Sequence, residues 1–390
     1  MAHVVDFTID GLAGRSDSYH QKLNRDVNIF FGDNGSGKTS LLKILHSALS
    51  NDTDILRNVP FRSAKVRIYS IDHKCTFVRT LRNRPGNRPP QLDLHWEGGI
   101  ANAVTYTAEG LRYVRNPGKS QFAWHTSPKK ITGSYAHRYL PISRLYARLG
   151  GASSIKGVAG TADWEEELDL RFADAMERRW ASYSAEVNRQ ITTEQQKGLS
   201  SVLRAVLART RSRSAPAAAD AAVAYRRVSQ FLMRQRGFSN VLGPLTTFRK
   251  RYENDSQLRR IVQDIEHVET MIETANTPRK ELEGLVREMF RKDKDIIFSD
   301  SGISISVRKE KIGLPNLSPG EKQLLLICVE ALLAERNILM ADEPEMSMHV
   351  EWQSKLVSSL RQLNSSSQLI FATHSPEIMA DLPDNNIFRI

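Results

Sequence analysis

The sequence predicts an α/β fold: a strand, a glycine-rich loop and a helix near the N-terminus, matched by short apolar strands near the C-terminus, with an antiparallel β subdomain and an inserted helical arm. Three observations predict it. An apolar run, Val27–Phe31, enters the glycine-rich stretch Phe31–Ser40 and leaves it into Leu41, Leu42, Ile44, Leu45 and Leu49, which recur at helical spacing. Two more apolar runs, Ile338–Asp342 and Ile370–His374, end in polar residues close to the C-terminus. Between the two groups lies a helical region, Trp164–Arg291, of which Trp164 to about Arg213 is rich in Glu, Ala, Leu and Arg and reads as long helices. The expected division is an N-terminal part over 1–150, a helical insertion over 151–295 and a C-terminal part over 296–390.

Taken in order, Val4–Ile9 reads as a first strand, followed by a turn through Gly11 and Gly14. Arg15 and Tyr19 follow that turn, where they either approach a bound ligand or belong to a surface loop. After the first helix, Lys65–Ile71, Cys75–Leu81 and Leu92–Trp96 are β-rich runs separated by turn residues, which suggests an antiparallel subdomain. The Pro- and Arg-rich loop Arg82–Pro90 is expected to be exposed. The small-residue stretch Ser212–Ala219 breaks the helical region, and helical patterning resumes over Ala221–Arg236 and Leu258–Arg291. In the latter, Ile261, Ile265, Val268 and Ile272 keep one helix face apolar. No sustained heptad array is present, so a short arm is expected in place of a long coiled coil. Ile296–Phe298 and Ile303–Val307 flank a Ser-Asp-Ser-Gly turn and read as a hairpin.

The 390 residues carry a net charge of +11, with 55 basic against 44 acidic side chains. The excess is local. Between Arg204 and Arg251 lie eleven basic residues and one acid, Asp220, a balance of 11 − 1 = +10. That cluster fits contacts with nucleic-acid phosphates, an acidic protein partner or a solvated helix face, and no aromatics interleave the arginines in a regular way. Cys75 and Cys328 are far apart and lack metal-ligand spacing, so buried reduced thiols are expected. No apolar run is long enough to span a bilayer and Met1–Ile9 lacks the character of a signal peptide, so no membrane partner is expected and the expected address is the cytoplasm.

Chemistry enters with the loop. Gly32, Gly37, Lys38 and Thr39 satisfy G-x-x-x-x-G-K-[ST], in which glycines let backbone N–H groups close around a phosphate. A nucleoside triphosphate is the expected ligand. Lys38 is placed for the β- and γ-phosphates, Thr39 for Mg²⁺, and the helix that follows aims its positive end at the same anion. The alternative, a chance glycine-rich turn, has to explain the second group of residues as well. There Asp342 ends an apolar strand and sets a carboxylate beside the metal, Glu343 is placed to polarise water, and His374 ends another strand within reach of the γ-phosphate. Singly, an Asp-Glu strand terminus and a lone histidine are commonplace structural features. In this order with the loop they form one site.

The loop, the Leu317–Gln323 stretch, Asp342-Glu343-Pro344-Glu345 and Thr373-His374-Ser375 together resemble the ATP-binding-cassette ATPases, in the soluble branch that holds SMC-like, RecF-like and OLD-like proteins. The resemblance covers Met1 to about Ser50 and Ile303–Ile390, and the middle only loosely. It implies an ABC-type P-loop ATPase head. Gly32, Asn34, Gly35, Gly37, Lys38, Thr39 and Ser40 would be nucleotide-binding residues of the Walker A loop, with Ser318 and Gly320 in the signature loop. Thr39 and Asp342 would hold Mg²⁺, Glu343 would be the catalytic carboxylate, His374 the switch histidine, and Glu345–His349 the D-loop. Pro319 stands where the family has the first of two glycines and Glu321 where it has glutamine. A Q-loop glutamine is not evident, and Leu140–Arg144 occupies its place.

The same resemblance implies a homodimer, open to higher assembly, in which Ser318 of one protomer caps ATP held by the other. Asp342–Glu345 and the Thr-His-Ser-Pro-Glu run from Thr373 resemble OLD-like and phage-defence ATPases more than RecF-like repair proteins. The expected function is therefore an ATPase that senses a trigger and regulates a separate effector, a nuclease or toxin, in bacterial anti-phage defence, as in ATPase subunits of the PtuA or AriA type. The alternative is an SMC/RecF-like DNA-repair or chromosome-maintenance ATPase whose arginine-rich segment binds nucleic acid. A transporter nucleotide-binding subunit fits less well, because the long helical insertion and the Glu345–His349 loop are atypical of one.

Overall fold

The computed structural model describes residues 1–83, 93–97, 100–107, 110–114, 123–128, 133–141, 161–207, 220–234, 243–290 and 294–390. The break at Ser212–Ala219, most of the Arg82–Pro90 loop and residues 142–144 lie outside the described residues. Two compact units are present: Met1–Ala173 with Gly313–Ile390, and Asp174–Ile312.

In the first unit, strands β1 (Ala2–Asp10) and β2 (Ser18–Lys22) pair antiparallel, and β1 also pairs with β4 (Ser63–Ser70). The sheet continues through β5 (Cys75–Arg82) to β9 (His125–Ser127), in the order β2-β1-β4-β5-β9. The antiparallel subdomain expected from the β-rich runs is this sheet, together with a separate hairpin ladder of β6 (Asp93–Glu97), β7 (Ile100–Thr107) and β8 (Gly110–Val114).

The second sheet is parallel throughout. It runs β10 (His137–Leu140), β14 (Ile338–Asp342), β15 (Gln368–Thr373), β3 (Val27–Phe31) and β16 (Ile387–Arg389). Its central strands are mainly apolar because both faces are covered, and all residues of β14 and β15 are buried, the polar Asp342, Gln368 and Thr373 included. Helix α1 (Lys38–Ser50) buries Leu41, Leu42, Ile44, Leu45, Ala48 and Leu49 in a core shared with Phe7 and Ile9 of β1, Phe30 of β3 and Ile370 of β15. It therefore fills the space between the two sheets, and each of its buried leucines contributes about 2 kcal/mol. Within the same unit α6 (Pro319–Ala334) and α7 (Val350–Leu363) supply further buried apolar faces.

Two buried polar groups brace this unit. The guanidinium of Arg79 donates to the Ala48 carbonyl in the last turn of α1 and to the Gly133 carbonyl, and lies 4.9 Å from the centre of the Tyr135 ring. The side-chain amide of Gln368 donates to the Val4 and Asn24 carbonyls at 2.9 and 2.7 Å and accepts from the Val4 N–H at 2.9 Å.

The second unit holds the greater part of the 47-residue helix α2 (Thr161–Leu207), with α3 (Ala221–Arg234), α4 (Leu245–Asn254) and the 34-residue α5 (Ser256–Met289). Of the apolar face read from the sequence, Ile265, Val268 and Ile272 are buried with Val228, Phe231, Phe248 and Tyr252, and Ile261 packs at the edge. Asp255 starts α5 by accepting from the Gln257 and Leu258 N–H groups. The hairpin of β11 (Lys294–Ser299) and β12 (Gly302–Val307) gains a third strand, β13 (Glu310–Ile312). Trp180 of α2 donates to the Ser299 carbonyl at 2.7 Å, and Arg279 of α5 donates to the Phe298 carbonyl at 2.7 Å, so both long helices are tied to the hairpin turn.

Candidate functional site

The parallel register brings Asp342 beside Ala372, and Thr373 beside Phe31. The C-terminal ends of three neighbouring strands therefore open at one edge of the sheet, the place where α/β sheets bind ligands. From there the chain continues into the glycine loop, into Glu343 and into His374.

Gly35 and Gly37 hold positive φ angles of 83° and 107°. At Gly37 a Cβ atom would come within 3.0 Å of the Ala13 Cβ and 3.3 Å of the Leu12 side chain, so glycine is required by space as well as by conformation. The early turn over Leu12–Gly14 thus packs against the phosphate loop. Arg15 is exposed, whereas Tyr19 is half-buried against Phe7 and donates to the Arg389 carbonyl at 3.4 Å.

Lys38 is 5% exposed, and its ammonium donates to the Gly32 carbonyl at 2.6 Å and the Asp33 carbonyl at 3.2 Å. The same nitrogen lies 3.6 Å from a carboxylate oxygen of Glu343. Asn34 and Gly35 are exposed at the loop tip, and Thr39 and Ser40 are half-buried in the first turn of α1. Asp342 is buried, and neither carboxylate oxygen has a hydrogen-bond partner of good geometry. Burial pushes its pKa up to about 6; the neighbouring Thr39 hydroxyl pulls it down, the Glu343 charge pushes it up, and Lys43 and Lys38 pull it down. An orphaned buried carboxylate beside a threonine hydroxyl is a donor set of the hard oxygen type that Mg²⁺ takes.

Glu343 adopts a left-handed backbone, φ 50°, fixed by its N–H donating to the Ala372 carbonyl at 2.8 Å. This costs on the order of 1 kcal/mol and turns the side chain out of the strand direction. Its Oε2 lies 2.6 Å from Nδ1 of His374 and accepts from the His374 backbone N–H at 3.3 Å. His374 itself is 57% exposed, so the pair joins a buried carboxylate to an accessible imidazole.

Glu345 completes the group. A carboxylate oxygen of Glu343, one of Glu345 and a ring nitrogen of His374 all lie within 4.8 Å of one another. Because His374 is bonded directly to Glu343, the cation reading stays with Asp342 and Thr39. The sequence singled out Glu345 only as the start of a loop; a third carboxylate in the Asp-Glu-Pro-Glu run was the signal that pointed to more.

Ser318 and Gly320 take a different place. Ser318 caps α6 in a capping box: its hydroxyl oxygen accepts from the Glu321 N–H at 3.4 Å and Glu321 Oε2 accepts from the Ser318 N–H at 2.8 Å, while the Ser318 hydroxyl also donates to Oε2 at 2.9 Å. The side-chain partner of Ser318 is thus Glu321, three residues on, and the phosphate loop of the same chain is not involved. A Cβ at position 320 would lie 2.3 Å from the Ser347 carbonyl oxygen, so Gly320 lets the Glu345–His349 loop rest on the start of α6. Glu321, where the family pattern has glutamine, supplies the reciprocal half of the cap. Lys322, buried, pairs with Asp169 at 2.6 Å.

A family model described as "AAA domain" matches residues 19–273, more than half of the chain. The chain belongs to this AAA-domain family. A second model, described as "AAA domain, putative AbiEii toxin, Type IV TA system", matches residues 237–380 of the AAA-domain protein. No curated protein matches it. Among solved structures it is similar to the Smc head domain with an extended coiled coil bound to the C-terminal domain of ScpA from Pyrococcus furiosus, at 12% identity over 100% of this chain and 93% of that one, TM-score 0.41. It is also similar to an Smc head bound to the C-winged helix domain of ScpA, at 12% identity over 99% and 94%, TM-score 0.42. A third is the Smc head domain with a coiled coil and joint from Pyrococcus yayanosii, at 14% identity over 100% and 95%, TM-score 0.40. Among the described residues of this AAA-domain protein, no helix is long and apolar enough to cross a membrane.

Proposed function

We propose that this AAA-domain protein is an ATPase of SMC/RecF-like type that hydrolyses ATP to ADP and phosphate and uses the cycle to work its helical unit on a nucleic-acid partner. The observation that carries the hydrolytic part is the convergence of Lys38, Asp342, Glu343 and His374 at the ends of three adjacent parallel strands. Lys38 and the backbone N–H groups of the glycine loop hold the phosphates. Glu343 takes a proton from the attacking water, and His374, anchored on Glu343, presents its exposed ring edge to the γ-phosphate. Thr39 and Asp342 would hold Mg²⁺, which supplies charge neutralisation of the phosphates when bound.

The dimer is part of the proposal. Ser318 and Gly320 stand at the N-terminus of α6, a natural anion site, and a second protomer's nucleotide would complete it. The helical unit, built on helices of 47 and 34 residues, supports an arm-bearing ATPase. Arg226, Arg227, Arg249, Lys250 and Arg251 are all exposed on it, which supports phosphate contacts.

A second reading, control of a separate effector in anti-phage defence, is favoured by the toxin-system description of the model matching residues 237–380. One preparation separates the two. Glu343→Gln purified from its native host with ATP and Mg²⁺ and analysed by mass spectrometry retains nucleic acid under the first reading and a stoichiometric nuclease or toxin-like protein under the second. DNA binding that falls steeply with salt, and is lost when Arg209, Arg211 and Arg213 become Glu, supports the first. Both readings place the protein in the cytoplasm.

A further inference from the structure

We propose that Glu345 is a positioning residue of the hydrolytic centre, holding His374 in place against Glu343 through the hydroxyl of Thr373. The inference rests on the ATPase reading and adds to it a residue on which the geometry of the water-activating pair depends.

The hydrogen-bond directions leave little freedom. The Ser375 N–H can only donate, and it donates to the Thr373 Oγ1 at 2.9 Å. The single proton of that hydroxyl goes to the Glu345 Oε1. Glu345 is therefore linked through one hydroxyl to the backbone on both sides of His374, and the loop carrying the histidine cannot rotate without breaking a buried bond. Thr373 is fully buried, Glu345 is 5% exposed and Ser375 6% exposed, so water does not replace these bonds cheaply. Beyond Thr373, the Ser375 hydroxyl is within 2.8 Å of Gln353 Oε1 and 2.7 Å of Glu377 Oε2, and Gln353 donates to the Met348 carbonyl at 3.0 Å. The network closes back on the loop that Glu345 begins.

Glu345 is a poor choice for packing alone. Its second oxygen, Oε2, is buried without a partner, and a buried carboxylate left half satisfied destabilises the fold. What it gains is position: Oε1 stands 3.9 Å from Nδ1 of His374, on which Glu343 stands at 2.6 Å. The imidazole thus faces two carboxylates, one that bonds it and one that fixes its loop. Burial holds the Glu345 carboxyl above its ordinary range, the Thr373 hydroxyl draws it down and the Glu343 carboxylate pushes it up again, as expected of two acids sharing one enclosure.

The test uses the full chain with Glu345→Ala, Glu345→Gln, Thr373→Val and the Glu345→Ala/Thr373→Val double variant. Steady-state ATP hydrolysis is measured beside the affinity for a non-hydrolysable ATP analogue. Glu345→Ala is expected to lower kcat about a hundredfold, the scale of a misplaced catalytic group, with KM and analogue affinity unchanged. Thr373→Val, nearly isosteric, gives the same loss, and the double variant loses no more, because both changes cut one link. Glu345→Gln keeps a carbonyl acceptor for Thr373 and returns kcat towards the parental value. Unchanged kcat in Glu345→Ala, additive losses in the double variant, or Gln as damaging as Ala each overturns the proposal.

A parental protein that hydrolyses no ATP refutes the ATPase reading, and the link is then read without activity. The downfield Nδ1 proton resonance of His374, which reports its short bond to Glu343, is expected in the parent and in Glu345→Gln and is lost in Glu345→Ala. Its persistence in Glu345→Ala overturns the positioning role.

Discussion

The ammonium of Lys38 stands 3.6 Å from the carboxylate of Glu343, and both side chains are more than nine-tenths buried. Each neutralises the other in a place where a lone charge is costly. Lys38 in the glycine loop and Glu343 at the end of β14 are one electrostatic unit, although 305 positions, 343 − 38, separate them in the chain.

Lys38→Ala is therefore expected to abolish ATP binding and to lower the melting temperature of the nucleotide-free protein, since Glu343 is left without its cation. Glu343→Gln keeps ATP binding and stops turnover, and it accumulates as an ATP-bound dimer. Isothermal titration, hydrolysis assays and size-exclusion chromatography with light scattering check all of this. Parental turnover in Glu343→Gln removes the assignment of that carboxylate.

Gly320→Ala places a methyl group 2.3 Å from the Ser347 carbonyl oxygen, and backbone on both sides has to move. A stability loss of about 1–3 kcal/mol is expected, the usual cost of overpacking, with weaker ATP-driven dimerisation than the stability loss alone explains. Denaturant midpoints paired with dimerisation constants measure both.

Arg79 is fully buried and bonds two carbonyls, with no acidic partner among the described residues. Burial accordingly draws its pKa down. Replacing it by Met retains most of the volume but deserts the Ala48 and Gly133 carbonyls, and about 3 kcal/mol of stability is expected to go, the scale of charge-assisted hydrogen bonds. Urea unfolding reports the loss.

The two thiols behave differently. Cys75 is half-buried, whereas Cys328 lies wholly inside and burial pushes its pKa up to about 12. At pH 8 an aromatic disulfide reagent reacts with Cys75 in the native protein and reaches Cys328 only after unfolding. The folded thiol keeps its proton to about pH 12, while an exposed thiol loses it near 9.0, so Cys328 contributes stability below pH 9 that is lost as pH climbs from there towards 12.

The glycine loop, Asp342 and His374 were readable because each sits in a local pattern: an apolar strand, a turn with fixed chemistry, a helix face. The antiparallel runs and the buried face through Ile265, Val268 and Ile272 were readable for the same reason. Strand β16 was not, since three residues have no periodicity, and its place beside β3 depends on pairing 358 residues away, from Ile29 to Ile387. The separate α4 was hidden by its short, strongly charged sequence. Glu345 escaped because its partner Thr373 is 28 residues on, and no periodicity records a side-chain hydrogen bond between two strand-end loops. Arg79 reads as one more surface arginine on an alternating strand until α1 ends above it.

The placement of β3 between β15 and β16 dictates an order of events during synthesis. The strand that enters the glycine loop, Val27–Phe31, is made well before either of its neighbours, which begin at Gln368 and Ile387. Asp174–Ile312 is continuous and can collapse while the C-terminal strands are still being made. The phosphate loop's own strand meanwhile waits with both edges open, a template for stray pairing. A nascent chain stalled short of Gln368 is thus expected to need a chaperone where one extended past Arg389 does not.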